Sequence, residues 1–296
     1  MKAARGAAWT IMDLLRWTNG YFRDKGVSEP RASAEVLLAY CLGLERLALY
    51  LRHDQPLSAG EVASFKALMQ RRLAGEPTQY ITGHQEFWSL DFLVSPAVLI
   101  PRPETEILIE TVLEQVRQQD FPLTGGPLLD VGTGSGVLAI VLAQELPDSQ
   151  VAALDQSAAA LALAQENARR HQVAHRIGFI RGDLLEPLAP RPRFAVIIAN
   201  PPYVPTSEWG HLPREIRDHE PRVALNGGPD GLTVIRRLVS EAHHYLIPGG
   251  LLALEVGNSQ APAVLDLLSP QEAYGPGQVR GDYHQVERVV FARRAI

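Results

Sequence analysis

The spacing of apolar residues divides the chain into three stretches. Over the first stretch, residues 1–78, the period is helical. In WTIMDLLRWTNGYF, Ile11, Leu14, Leu15, Tyr21 and Phe22 fall on one side of a predicted helix. Ser28 to Leu42 predicts another, with Pro30 in its first turn and an apolar face through Val36, Leu37 and Leu38. Ser58-Ala-Gly-Glu61 has the capping-box pattern and opens a helix that runs toward Leu73 and stops at Gly75. Helices of this kind predict a small bundle.

The second stretch, residues 79–103, is rich in β-branched and aromatic residues, with a polar break at Ser89-Leu90-Asp91. It reads as a β-hairpin connector. PRPETE (101–106) then leads stiffly into a helix near Glu104, whose early acids suit the positive end of the helix dipole.

In the third stretch, 104–296, short apolar runs at 127–133, 151–155, 176–183 and 194–200 alternate with helical segments at 135–146 and 157–171. Such alternation predicts a parallel sheet covered on both faces. A helix over about 230–246, a Pro-Gly-Gly turn at 248–250 and a strand over 251–258 follow. The candidates at 276–281 and 286–294 predict an antiparallel pair at the end.

Composition narrows the classes. The chain has 46% hydrophobic and 21% charged residues, as expected of a globular protein. No uninterrupted apolar run has the length of a membrane-spanning helix, and Asp13 and Arg16 interrupt the N-terminal segment before a secretory core forms. A cytoplasmic location is expected. The single cysteine, Cys41, lies in an apolar stretch and reads as a small core residue. The net charge of −5 divides into +3 over residues 1–80 and −8 over 81–296. An acidic larger part argues against a free nucleic-acid binder. No His/Cys/Asp cluster has metal-ligand spacing, so no metal is expected and His84, His243 and His244 receive no role.

Three features carry chemistry. Asp130-Val-Gly132-Thr133-Gly134-Ser135-Gly136 sits where the first strand of the sheet meets its helix, the place where an open parallel sheet puts its ligand crevice. Asp155 ends the next strand and can accept from both hydroxyls of a ribose; Asp183 ends the third and can accept from the exocyclic amine of adenine. The spacing G-x-G-x-G departs from the dinucleotide fingerprint, and no basic residue stands near the glycines. That favours a ligand with a cationic centre and no phosphate, such as S-adenosyl-L-methionine. Finally, FAVIIAN ends at Asn200-Pro201-Pro202-Tyr203. The prolines hold Asn200 at a strand tip, where its side-chain oxygen and the Pro201 carbonyl can both accept from one NH2 group. Tyr203 can pack on that planar group. Taken singly, these features also read as a tight turn, two strand-end caps and a rigid strand terminator; together they favour the cofactor and an amine or amide substrate.

These residues resemble the peptide chain release factor N5-glutamine methyltransferase (HemK/PrmC) family. The resemblance rests on QYITG, EFWSLDFLVSPAVLIPRPETE, LLDVGTGSG, AALD, GDLLEPL, IIANPPYVP, HEPRVALNGGPDGL and PGGLLALEVG, and covers nearly the whole chain. It implies a Rossmann-like class I S-adenosylmethionine-dependent methyltransferase fold: a seven-stranded, mostly parallel sheet with an antiparallel C-terminal hairpin, preceded by a small helical-bundle domain. It further implies methylation of the glutamine in the Gly-Gly-Gln loop of class I release factors, in support of translation termination, with S-adenosyl-L-homocysteine as the second product. The helical domain would grip the factor. Carried over by position, Gly132 to Gly136, Asp155 and Leu184 belong to the cofactor with Asp183 beside them, and Asn200, Pro201, Pro202 and Tyr203 to the glutamine pocket; Asp130 and Asn200 are expected to border the cofactor as well. Leu184 departs from the aromatic residue that some relatives place there, and the tail GDYHQVERVV lacks a Gly often found before the Arg. A glutamine methyltransferase of a ribosomal protein, an adenine or cytosine methyltransferase and a non-catalytic binding module are the competing readings.

Overall fold

The computed structural model describes residues 9–118, 121 and 126–296. Residues 1–8, part of the N-terminal segment expected to lack a secretory core, lie outside these. The described residues form two compact units, one within residues 1–83 together with Pro213–His219 and the other within His84–Leu212 together with Glu220–Ile296.

The first unit is helical. Its elements are α1 (Ile11–Asp24), α2 (Pro30–Leu42), α3 (Arg46–Leu51), α4 (Ala59–Leu73) and α5 (Thr78–Thr82). The capping box is formed in both directions: Ser58 Oγ accepts from the Glu61 amide at 3.2 Å and Glu61 Oε2 accepts from the Ser58 amide at 2.7 Å. Ile11, Leu14, Phe22, Leu37, Leu38 and Phe65 fill the core, and Cys41 packs against it, half-buried. Burial pushes the Cys41 thiol pKa up, the opposite of what a nucleophile needs. One expectation fails here. Residues 79–82, read as the start of a strand, form the end of α5. Pro77 precedes the helix, Gly83 closes it at φ +79°, and Tyr80 and Ile81 are buried, so packing outweighs the β-propensity of a short segment.

The second unit opens with the hairpin β1 (His84–Phe87) and β2 (Leu90–Leu93). It continues through α6 (Thr105–Val116), β3 (Leu128–Val131), α7 (Val137–Glu145), β4 (Val151–Asp155), α8 (Ala158–Arg170), β5 (Ile177–Arg181) and β6 (Phe194–Ala199). The short α9 (Arg214–His219) belongs to the first unit, where Arg72 holds it: the Arg72 guanidinium pairs with Glu215 at 2.6 Å. Then come α10 (Thr233–Glu241), β7 (Leu246–Glu255), α11 (Ala261–Leu268), β8 (Gln278–Gly281) and β9 (Glu287–Arg293).

Among the described residues, seven strands form one sheet in the order β5-β4-β3-β6-β7-β9-β8. β5 to β7 run parallel, and β9 pairs antiparallel with both β7 and β8. Alternate strand residues feed two separate cores. Leu128, Val196, Ile198, Leu251 and Ala253 pack with α6 and α7 on one face; Leu129, Ile197, Ala199, Leu252 and Leu254 pack with α10 and α11 on the other. This is the two-residue period of a strand buried on both sides.

One detail differs from expectation. Pro248-Gly249-Gly250 lies inside β7 rather than before it: Phe194 pairs with Leu246 and Val196 with Leu251, so the extra residues form a bulge with Gly249 at φ +73°. The hairpin, expected as a connector, also packs into the second unit. Phe87 and Phe92 enter the first of the two sheet cores, and the buried Asn167 ties Leu93 to the glycine loop. Its Oδ1 accepts from the Leu93 amide at 2.8 Å, while its Nδ2 donates to the Leu93 and Ser135 carbonyls at 3.0 and 2.9 Å.

Candidate active site

The strand order places β3 between β4 and β6, so the chain reverses direction across the sheet beside β3. A crevice opens at the carboxyl ends of strands flanking such a switch. A cavity of about 680 Å³ lies there, within the range of pockets that enclose a cofactor-sized ligand. Gly132, Thr133, Gly134, Ser135, Asp155, Asp183, Leu184, Asn200, Pro201 and Pro202 all line it.

The glycine loop is a set of left-handed turns: φ is +77° at Gly132, +56° at Gly134 and +87° at Gly136. The Gly132 and Thr133 amides donate to the Leu154 carbonyl at 2.8 and 2.9 Å, which fastens the loop to β4. Asp155 stands opposite. Its Oδ2 accepts from the Gly134 amide and its Oδ1 from the Ser157 amide, both at 2.9 Å. Each oxygen keeps a lone-pair site. The carboxylate is thus aimed before any ligand arrives.

Asp183 lies two residues beyond β5, and its Oδ2 is paired with Arg237 of α10 at 2.9 Å. Leu184 next to it holds φ +47°, an uncommon conformation for a branched side chain, with its side chain against the second sheet core. Arg237 is also a cavity residue, one that the sequence reading did not single out.

At the tip of β6, Asn200 Nδ2 donates to Thr105 Oγ1 at 3.1 Å. Asn200 also lines the cavity, and its Oδ1 takes no part in that bond. The following loop is clamped from three sides. Val204 exchanges backbone hydrogen bonds at 2.9 Å with Leu225 and Gly227, Gln260 Nε2 donates to the Tyr203 carbonyl at 2.9 Å, and Gly231 lies so close that a Cβ there would stand 2.3 Å from that same carbonyl.

Three expected site residues are not among those that line the cavity. Asp130 is fully buried; its Oδ2 accepts from Thr133 Oγ1 at 2.6 Å and from the Ala139 amide at 3.2 Å, joining the glycine loop to the start of α7. Burial raises its pKa to about 7. Gly136 packs instead, its position for a Cβ being 3.1 Å from Ala164. Tyr203, expected over the substrate plane, turns its hydroxyl to Glu255 at 3.3 Å, and burial followed by that carboxyl's charge drives the phenol pKa upward. Its ring rests on the second sheet core.

Other cavity residues escaped the sequence reading: Val98, Leu99 and Thr105 on one side, and Pro221 to Ala224 with Asn226 on the other. Glu220 joins these two segments, accepting from the Ile100 amide at 3.1 Å and pairing with Arg102. A carboxylate beside proline in HEP and an arginine in PRP were the available signals. Glu255 had a plainer one, as a lone acid in the apolar run LLALEV.

Among the described residues no group of His, Cys, Asp and Glu is arranged to hold a metal, and no helix is long and apolar enough to cross a membrane. The residues that are present do fit S-adenosylmethionine. They offer a pre-aimed carboxylate for a ribose, a second for an amine, a backbone surface without side chains at Gly132 and Gly134, and no cation on the loop itself.

Comparison with known proteins agrees with this geometry. The model of the PrmC N-terminal domain matches residues 13–83, and that of the methyltransferase small domain matches 103–211. A release factor glutamine methyltransferase from Geobacter sulfurreducens is 46% identical over 96% of this chain and 97% of its own length. The protein of the same name from Moorella thermoacetica is 47% identical over 91% of this chain and 93% of its own. Among solved structures, a methyltransferase from Pyrococcus furiosus shares the fold at a TM-score of 0.51, with 18% identity over 71% of this chain and 91% of that one. By its near full-length likeness to these relatives, the chain belongs to the release factor glutamine methyltransferase family.

Proposed function

We propose that this enzyme methylates the side-chain amide nitrogen (N5) of the glutamine in the Gly-Gly-Gln motif of class I peptide chain release factors, using S-adenosylmethionine. The observation that carries this reading is the Asn200 amide, which lines the cavity and gives its NH2 to Thr105. Family membership supplies the substrate class.

The residues divide the work. Asp155 accepts from the ribose hydroxyls with the lone pairs left by the Gly134 and Ser157 amides. Asp183, with Oδ2 committed to Arg237, offers Oδ1 to the adenine amine. Leu184 gives the base an aliphatic surface. When bound, the cofactor supplies an electrophilic methyl group on a sulfonium.

The substrate amide is a poor nucleophile because its lone pair is delocalised. Asn200 Oδ1 and the Pro201 carbonyl accept its two N–H hydrogens and hold the nitrogen in one orientation. As positive charge develops on nitrogen, these fixed acceptors stabilise it without reorganising. The proton then leaves to water, and no side chain is needed as a base. Tyr203 contributes by fixing the loop through Glu255 and Gln260. The helical unit, which matches the PrmC N-terminal domain, docks the release factor.

Asn200→Ala tests the reading. The variant is expected to bind S-adenosylhomocysteine as the wild type does and to lose about 10² to 10³ in kcat, the usual cost of removing one preorganised polar group at a developing charge. Near-normal turnover of release factor by this variant would sink the role given to Asn200.

A further inference from the structure

Glu255 ends β7 directly behind the proposed substrate site and is 1% exposed. Its Oε2 is buried without a hydrogen-bond partner, and burial raises its pKa to about 7. A carboxyl group so placed costs stability, and an apolar side chain of similar volume would avoid the cost. Two hydroxyls converge on it. Tyr203 Oη donates to Oε1 at 3.3 Å. The Thr105 hydroxyl, at the start of α6, accepts from Asn200 Nδ2 at 3.1 Å and lies near enough to the same carboxyl to work against the rise of its pKa. Arg288 of β9 and Glu104 also face the group, with opposite electrostatic effects on it.

The direction of these bonds matters. A threonine hydroxyl has one hydrogen and two acceptor sites. When Glu255 is ionised it can only accept, and with the Thr105 hydrogen pointing to it only lone pairs face Asn200, so the amide turns its NH2 toward Thr105 and its oxygen toward the cavity. Amide oxygen and nitrogen are nearly equal in size, and shape alone does not choose between the two orientations. Turned over, Asn200 would set a donor against the NH2 of the substrate.

We propose that Glu255 is a positioning residue for methyl transfer: through Thr105 it fixes which way round the Asn200 amide sits, and through Tyr203 it anchors the loop that carries Pro201 and Pro202. The inference rests on the proposed role of Asn200 as acceptor.

Full-length Glu255→Gln, Thr105→Val and Thr105→Ser are compared with wild type on intact release factor. Glutamine keeps the shape of Glu255 but brings an NH2 that donates to hydroxyls, which frees Thr105 to donate to Asn200 Oδ1. Glu255→Gln and Thr105→Val are expected to lose about ten- to a hundredfold in kcat, as supporting groups behind a reactive centre do, with KM for S-adenosylmethionine unchanged. Thr105→Ser, which keeps the hydroxyl, should retain wild-type kcat. The double variant Glu255→Gln/Thr105→Val should fall no further than either single one, because both act through one amide.

Wild-type kcat in Glu255→Gln overturns the inference, and so does an equal loss in Thr105→Ser and Thr105→Val. A loss of kcat that tracks weakened cofactor binding would show a merely structural role and overturn it as well. If Glu255→Gln does not fold, the two Thr105 variants decide. Wild-type protein that binds cofactor but leaves release factor unmodified would remove the substrate reading itself, and the inference with it.

Discussion

Removing the Asp155 carboxylate should weaken cofactor binding by an amount that its hydrogen bonds set. Two of the roughly four lone-pair sites of a carboxylate are occupied here by the Gly134 and Ser157 amides, each at 2.9 Å. The two that remain suit the paired hydroxyls of a ribose. A hydrogen bond to a charged group contributes about 1.5–3 kcal/mol, so loss of both amounts to roughly 3–6 kcal/mol before water recovers part of it. Asp155 is half-buried, and the lower end of that range applies. Asp155→Ala should therefore raise the Kd for S-adenosylhomocysteine by about 10² or more, since each 1.4 kcal/mol is tenfold. Asp155→Asn keeps one oxygen and should fall between the variant and wild type. Isothermal titration calorimetry on the purified full chain measures both. A Kd for Asp155→Ala equal to that of wild type would refute the ribose assignment. If instead Asp155→Asn bound as weakly as Asp155→Ala, the Gly134 loop and not the ribose would be what the carboxylate serves.

Gly231→Ala should cut turnover from outside the cavity: φ is +79°, and the new Cβ would stand 2.3 Å from the Tyr203 carbonyl and 2.5 Å from Gln260 Nε2. The loop must shift, costing on the order of 1–3 kcal/mol of stability, and kcat should drop while cofactor affinity holds; unchanged kcat would show that the loop position is immaterial. Ser58→Ala removes the α4 cap and should cost about 0.5–2 kcal/mol in denaturant melts without touching cofactor affinity, an outcome contradicted by an unmoved midpoint. Glu255 also predicts a pH dependence of stability. Its pKa rises from 4.5 to about 7 on folding, so the folded state binds the extra proton between those values and stability declines as pH climbs from about 4 to 7. Glu255→Gln should flatten that decline by on the order of 3 kcal/mol, and parallel urea-midpoint curves for variant and wild type would reject it.

Much of the architecture was legible because it depends on local pattern. The strands are near-continuous apolar runs, the glycines mark where the backbone turns left-handed, and Asn200 with two prolines can end a strand but not continue it. Where tertiary packing decided, the pattern misled. Residues 79–82 look like a strand by composition and are helical because Tyr80 and Ile81 are buried in the helical unit. Pro248-Gly249-Gly250 looks like a turn and is a bulge within β7. Within the candidate site, residues at strand ends were readable from position alone. Asp130, Gly136 and Tyr203 share those motifs yet are not among the lining residues, and Asp130 and Tyr203 bond to neighbouring side chains instead, a distinction that spacing does not encode. The wall formed by Val98, Leu99 and Pro221 to Ala224 needs chain segments more than a hundred residues apart to meet, held by the Glu220 contacts. No period in the sequence announces that.

The central claim is the substrate atom. Purified, unmodified release factor, incubated with this protein and S-adenosylmethionine, is digested and examined by tandem mass spectrometry, with a ribosomal protein and DNA as parallel substrates. One added methyl group on the glutamine of Gly-Gly-Gln is the result the account predicts. Methyl transfer to the ribosomal protein or the DNA, with release factor untouched, would contradict it.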